Sequence, residues 1–371
     1  MLKGRATADA SAAYASRFSN LSGNFRPMLG LSVSSIGIGT YLGEPDSQTD
    51  ADYEASLTAA LAGGINLIDT AVNYRFQRSE RTIGKVLAAM TAAGTIKREE
   101  IVVATKGGYI TFDGEVPPDP RGWFDEHYLR SGIVAQGDLV EGSHCMTPKW
   151  LATMLEMSRT NLGLETIDIY YIHNPETQLG EVSRAEFLGR MRAAFEWLEA
   201  AAAAGKIGVY GIATWNGLRA QPTERGFLSL DELWRLAHEV AGDAHHFRAL
   251  QLPYNLAMPE AVTRSNQTVG TQKGTTLTVA GAMGLGVCAS ASLLQGRLAK
   301  GLPEILNETF PDFSSDAQRS IQFVRSTPGV NVALVGMKSV EHVHDTLAAA
   351  AHPPAGVDEL MKLFRPSDEK K

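Results

Sequence analysis

Short apolar runs rich in β-branched residues recur along the whole chain, and longer stretches of helical character separate them. Strands are expected at Val33–Thr40, Ile65–Thr70, Ile101–Lys106, Ile167–His173, Val209–Thr214, Arg248–Leu252, Gly286–Ser290 and Val332–Gly336. Several of these runs are apolar without alternation, as parallel strands are when both faces are buried. The intervening stretches carry helix signals. Thr147-Pro148 is an N-cap followed by proline at the first helical position, opening a helix to about Leu162. Gly63-Gly64 and Gly205 stand where C-caps belong, and Ser339 can cap a last helix running to about Ala351. Eight strands alternating with helices predict an α/β fold, a (β/α)8 TIM barrel. A doubly wound sheet would show a GxGxxG turn after its first strand, and none follows Val33–Thr40. Asn24–Leu29 and Gly30–Ser34 can form an N-terminal β-hairpin at the barrel bottom.

The chain has 371 residues, of which 44% are hydrophobic, enough to fill one large barrel spanning 24–371. Residues 1–23 are small, polar and slightly basic and read as a disordered tail, with a transit peptide as the alternative. The formal net charge is −7, which gives no general attraction for nucleic acid or an anionic membrane. No apolar run is long enough to span a bilayer. Cys145 and Cys288 lie far apart, outside any CxxC pattern, which predicts reduced thiols and a cytoplasmic protein. Two connections, Gly107 to Met146 and about Pro253 to Thr276, are longer than routine loops. Both follow strands, which puts them on the C-terminal face, where barrel active sites lie.

Four polar side chains fall at or just beyond strand ends: Asp69, Tyr74, Lys106 and His173. Parallel strands bring all four to one rim. Together they suit carbonyl reduction, which needs a hydride donor and an acid for the developing alkoxide. A free tyrosine has a pKa of about 10, and a nearby ammonium favours its phenolate. Lys106 can supply the ammonium and Asp69 its counter-ion. A neutral His173 can donate to the carbonyl oxygen. Each residue alone has a blander reading as a cap, packing or solvated end; the shared rim is what gives the set its meaning.

The segments GINLIDTAVNY, VVATKGG and IDIYYIHNP, in that order, resemble the aldo-keto reductase signature segments. Similar blocks run from about Arg26 to Ala351, including QLPYN at 251–255, LLQGRL at 293–298 and LVG at 334–336. The resemblance implies NADP as cofactor, with NAD as the alternative, a small-molecule carbonyl substrate, and Tyr74 as general acid. It implies further that Gly39, Thr40, Tyr41 and Asp69 lie beside the nicotinamide ribose and pyrophosphate, and that Gln251 holds the carboxamide. Leu293, Gln295, Gly296 and Leu298 would cross the pyrophosphate. Gly336, Met337, Lys338, Ser339 and His342 would surround the adenosine phosphate, where the last helix offers backbone N–H groups to an anion. Thr214 and Ser290 stand where the family often has an asparagine beside the carboxamide and a tyrosine stacked on the nicotinamide, and HNPE replaces the usual HxPD.

Other chemistries fit less of the pattern. The nine histidines show no HxH pair at the first strand, so a catalytic metal is not expected. A barrel aldolase could use Lys106 as a Schiff base, but that leaves Tyr74 and His173 without roles. A nucleotide-sensing accessory subunit remains as a non-enzymatic reading. Substrate identity and oligomeric state are not readable from the chain.

Overall fold

The computed structural model describes residues 1–21 and 23–364. Eight parallel strands close into a barrel: β1 (Ile36–Gly39), β2 (Leu67–Asp69), β3 (Val102–Gly107), β4 (Ile167–His173), β5 (Ile207–Ala213), β6 (Phe247–Pro253), β7 (Gly286–Ser290) and β8 (Val332–Gly336). Each strand pairs with its sequence neighbours, and β8 closes on β1 through Ala333 and Ile36. The expected bounds of β4, β7 and β8 coincide with the observed ones. The expected first strand does not, because Val33–Thr40 is two elements. Leu31–Ser34 pairs antiparallel with Phe25–Met28 in the hairpin, and the chain turns at Ser35 into β1. Ser35 is pinned there by hydrogen bonds to Asn24 and from the buried Arg325.

Inward side chains fill the barrel in layers. Leu67, Val102, Ala104, Ile169, Tyr171, Cys288, Val332 and Leu334 form the interior, and Met28 and Val33 of the hairpin close its floor. A larger shell packs the outer strand faces against the helices. Gly37 lets the interior close: a Cβ there would stand 2.8 Å from Leu67 and 2.9 Å from Leu334.

Residues 1–21 differ from the disordered tail expected of them. Thr7 caps a helix over Ala8–Ser16, and Leu2 bridges to Leu164. Tyr14 is fully buried and donates its hydroxyl to the carbonyls of Leu61 and Ile65. The segment is polar by composition, but a few anchors (Ala6, Tyr14, Leu21) carry its burial, too few to show as a periodic pattern.

The long connection after β3 folds on itself. Pro120–Phe124 and Asp125–Leu129 are helical turns, and Phe124, Tyr128 and Val134 form a small core with Trp150 and Met154 of the helix Pro148–Leu162. The connection after β6 holds a short hairpin, Gln267–Val269 with Gln272–Gly274. Among the described residues no helix is long and apolar enough to cross a membrane.

Candidate active site

The strand ends bring the four polar residues together as their positions imply. Asp69 ends β2, Lys106 lies one residue before the end of β3, and His173 ends β4. Tyr74 follows β2 in a tight turn. Lys106 is fully buried and donates from Nζ to Oδ2 of Asp69 at 2.8 Å, to the carbonyl of Thr70 at 2.8 Å and to the hydroxyl of Tyr74 at 3.2 Å. The three donors of the ammonium are thereby used, which satisfies a charge that would otherwise be costly in the barrel interior. The ring of Tyr74 meets that of His173 edge to face, centroids 5.9 Å apart, and that of Tyr41 at 5.1 Å.

Burial and charge set the protonation states. Burial raises the Tyr74 phenol above its ordinary value and outweighs the pull of Lys106. The phenol therefore keeps its proton near neutrality, as a donor to an alkoxide must. Burial works against the Lys106 charge, but Asp69 and Tyr74 prevail and hold its pKa above the usual lysine value. Burial, then the Lys106 charge, then His144 hold His173 far below the usual histidine value, so its imidazole is neutral.

A supporting layer lies behind these four. His144, from the long connection after β3, is fully buried, and its Nε2 lies 2.7 Å from the carbonyl oxygen of His173. Gln178 Nε2 lies 2.8 Å from His144 Nδ1, and Arg190 donates to the oxygen of the same amide at 2.6 Å. With the amide so oriented, Nδ1 accepts and Nε2 carries the proton that His173 O receives. Burial lowers the pKa of His144 to about 4, which keeps this tautomer neutral. Gly108 makes the approach possible, because a Cβ there would stand 2.9 Å from both His144 Nε2 and His173 O. Tyr109 packs edge to face on both imidazoles, at 5.1 and 5.0 Å. Glu176 pins the loop after β5: its Oε1 accepts from Thr214 Oγ1 at 2.6 Å and from the backbone N–H groups of Trp215, Asn216 and Gly217 at 2.8–3.2 Å.

None of Tyr109, His144, Gln178 and Glu176 stood out in the sequence as a site residue. Only Glu176 carried a signal, as the departure in HNPE. Tyr109, Asn174, Glu176, Trp215 and Arg225 line a cavity of about 410 Å³ that none of the four polar rim residues lines; Tyr109 packs on His173, and Asn174 follows His173 in the chain.

The residues matched to a dinucleotide lie on the same rim, where Gly336 of β8 pairs Gly39 of β1 and Gly39 pairs Asp69 of β2. Thr40 donates from N and Oγ1 to the carbonyl of Asp69, and Tyr41 is 57% exposed beside Tyr74. Gln251 donates to Oδ1 of Asp69 at 2.6 Å, so its N–H side faces the tetrad and its carbonyl side accepts nothing from the described residues. That open acceptor fits a carboxamide N–H. Thr214 is 4% exposed with its hydroxyl engaged by Glu176, and Ser290 ends β7 opposite Pro253. Leu293 and Leu298 are half-buried and Gln295 and Gly296 exposed in the loop after β7. Met337 is buried, Lys338 and His342 are exposed, and Ser339 caps the helix Val340–Ala350 by accepting from the His342 N–H.

Comparison with known proteins places this arrangement. The model of the Aldo/keto reductase family matches residues 35–361. 6-Dehydroglucose reductase of Novosphingobium aromaticivorans is 32% identical over 155 residues, 40% of this chain and 40% of that enzyme. Pyridoxal 4-dehydrogenase of Microbacterium luteolum is 25% identical over 342 residues, 86% of this chain and 90% of that enzyme. The crystal structure of an aldo/keto reductase from Klebsiella pneumoniae in complex with NADP and acetate superposes with a TM-score of 0.61 at 22% identity, over 92% of this chain and 93% of that one. A barrel of eight parallel strands, with a family match over nearly its whole length, belongs to the aldo/keto reductase family of NAD(P)H-dependent oxidoreductases.

Proposed function

We propose that the protein reduces aldehydes or ketones to alcohols, or runs the reverse reaction, with Tyr74 as general acid and NADP as the preferred cofactor. The observation that carries this reading is the arrangement at Lys106: one buried ammonium bonded at once to Asp69 and to the Tyr74 hydroxyl. The cofactor supplies the hydride when bound. The chain's own residues do the rest. His173, neutral and beside Tyr74, donates to the carbonyl oxygen and orients it. Tyr74 passes its phenolic proton to the alkoxide as charge develops there, and Lys106 stabilises the phenolate left behind. Asp69 keeps Lys106 charged and in place. The names of the relatives fit small carbonyl compounds, and the cavity lined by Tyr109, Asn174 and Trp215, reached from His173 through Tyr109, suits a compact polar substrate.

For the cofactor, Lys338 is exposed at the start of the last barrel helix, whose N-terminal N–H groups favour an added phosphate. The formal net charge of −7 gives no general attraction for nucleic acid or an anionic membrane, and the two free cysteines, Cys145 and Cys288, support a protein of the cytoplasm. An aldolase using Lys106 as a Schiff base is disfavoured by that residue's full burial and three hydrogen bonds. The test is consumption of NADPH with a panel of small aromatic, aliphatic and hydroxylated aldehydes, and formation of NADPH from NADP with the corresponding alcohols. Turnover with at least one carbonyl is expected. No turnover in either direction, with NADPH binding intact, would favour the accessory-subunit reading instead.

A further inference from the structure

Three consecutive residues directly after Tyr74 adopt the left-handed backbone: Arg75 at φ 47°, Phe76 at 53° and Gln77 at 74°. Residues with a Cβ visit this region singly, if at all, and a run of three persists only where the surroundings over-determine it. The surroundings here are specific. Arg75 is 6% exposed, pairs through Nη1 with Oδ1 of Asp50 at 2.7 Å, and donates from Nε to Ser79 Oγ at 3.1 Å. Its guanidinium lies 5.0 Å from the ring centre of Tyr53. Ser79 Oγ donates to the carbonyl of Thr40 at 2.9 Å, and Thr40 donates to the carbonyl of Asp69. Asp50 and Tyr53 share the helix Ser47–Gly63, and the Tyr53 hydroxyl donates to the carbonyl of Leu42 at 2.9 Å. One guanidinium thus joins the residue beside Tyr74 to the loop Thr40–Leu42 and to the backbone of Asp69.

Glycine would meet the backbone demand at residue 75 without strain, yet the position carries a buried, ion-paired arginine. The backbone therefore accepts a disfavoured conformation to keep a side chain. Resting on the reading of Tyr74 as the acid, we propose that Arg75, clamped by Asp50, is a positioning residue that sets the distance between the Tyr74 hydroxyl and the cofactor-side loop Thr40–Leu42. The guanidinium makes no hydrogen bond to the Tyr74 hydroxyl, so it works through the backbone of the turn and not as a charge on the phenol.

The experiment compares wild type with Arg75→Gly, Arg75→Lys, Asp50→Asn and Tyr74→Phe, using the best aldehyde of the panel and NADPH. Arg75→Gly suits the backbone and removes the clamp together with the side chain's packing on Tyr53. A displacement of about 1 Å at a reacting group lowers rate on the order of 100-fold. Arg75→Gly and Asp50→Asn are expected to lower kcat by about 10- to 100-fold, with KM and the Kd for NADPH within about twofold. Arg75→Lys, whose ammonium can still meet Asp50, is expected to recover most of the rate. Wild-type kcat per folded molecule in both clamp variants overturns the proposal, as does a loss confined to NADPH affinity. If Arg75→Gly does not fold, the kcat of Asp50→Asn decides. Tyr74→Phe separates the two layers: full activity there overturns the assignment of the acid and the positioning role with it, whereas an inactive Tyr74→Phe beside fully active clamp variants overturns the positioning role alone.

Discussion

Among the described residues the barrel carries an ion pair with both partners buried at each end, and the two pairs differ in what completes them. At the bottom, Arg98 and Asp168 meet at 2.6 Å with both side chains nearly inaccessible. Asp168 also accepts from the backbone N–H groups of Ala6 and Val103, and Arg98 donates to the carbonyls of Ile101 and Thr166. Apart from each other, the partners of this pair are main-chain groups, which cannot ionise. At the top, Lys106 and Asp69 meet at 2.8 Å, but the outer neighbours are the amide of Gln251 and the phenol of Tyr74. A network ending on a phenol can release a proton, and one ending on peptide groups can only hold shape. Burial and pairing alone therefore do not mark a functional charge; what matters is whether the network ends on a titratable group.

The sharpest way to break this contrast is Tyr74→Phe, which leaves the upper pair in place and removes only its titratable end. We expect kcat with an aromatic aldehyde to fall about 1,000-fold while the Kd for NADPH, measured by fluorescence, stays within about twofold. Near-normal kcat would show that the upper pair is structural like the lower one. The converse change is Asp168→Ala, which strands Arg98. It should lower unfolding stability by about 3–5 kcal/mol, measured by denaturant titration, and leave kcat per folded molecule within about twofold. A marked kcat loss in a folded Asp168→Ala protein would erase the distinction between the two ends.

A third prediction concerns pH. His144 is neutral in the fold at a pKa of about 4, against about 6.5 for a free histidine. Its folded pKa is depressed, so the unfolded chain binds the proton first. The stability it contributes is complete above about pH 6.5 and is lost as pH falls from there toward 4, by up to roughly 3 kcal/mol. His144→Gln should flatten the stability profile across that window, and an unchanged slope would mean that the imidazole behind His173 is not held neutral. The smallest effect is expected at an exposed cation, which solvent screens. Lys338→Ala should lower kcat/KM for NADPH about fivefold and leave that for NADH unchanged. Equal efficiencies with both cofactors, unaffected by the change, would remove Lys338 from phosphate recognition.

Legibility in the sequence follows the range of the forces involved. β4, β7 and β8 could be bounded to the residue because a strand covered on both faces writes its burial as an apolar run without alternation, broken within β4 only by Asp168. The rim positions of Asp69, Lys106 and His173, at or near the ends of β2, β3 and β4, follow from parallelism alone. His144 reaches His173 across 29 residues of chain with no period to announce it, and its role depends on Gly108 leaving room. The left-handed run after Tyr74 is equally silent, since Arg, Phe and Gln are not the residues such a turn ordinarily selects. The long connection after β3 is placed on the C-terminal face by its position in the chain, but Phe124 and Tyr128 pack into its own core, and Tyr109 is the residue that reaches the histidines.

The lower ion pair also bears on the order of assembly. Asp168 is the acceptor for the N–H of Ala6, across 162 residues. Ala6 is synthesised 162 residues ahead of Asp168, so this contact cannot form until β4 has been made. Even then, the barrel floor that holds Asp168 is sealed only when β8 arrives to pair with β1. Non-local contacts of this kind pay their loop-closure entropy before they return anything. The residues ahead of the helix are thus early in synthesis and late in seating, whereas the helix itself can dock through Tyr14 on Leu61 and Ile65 before β4 exists.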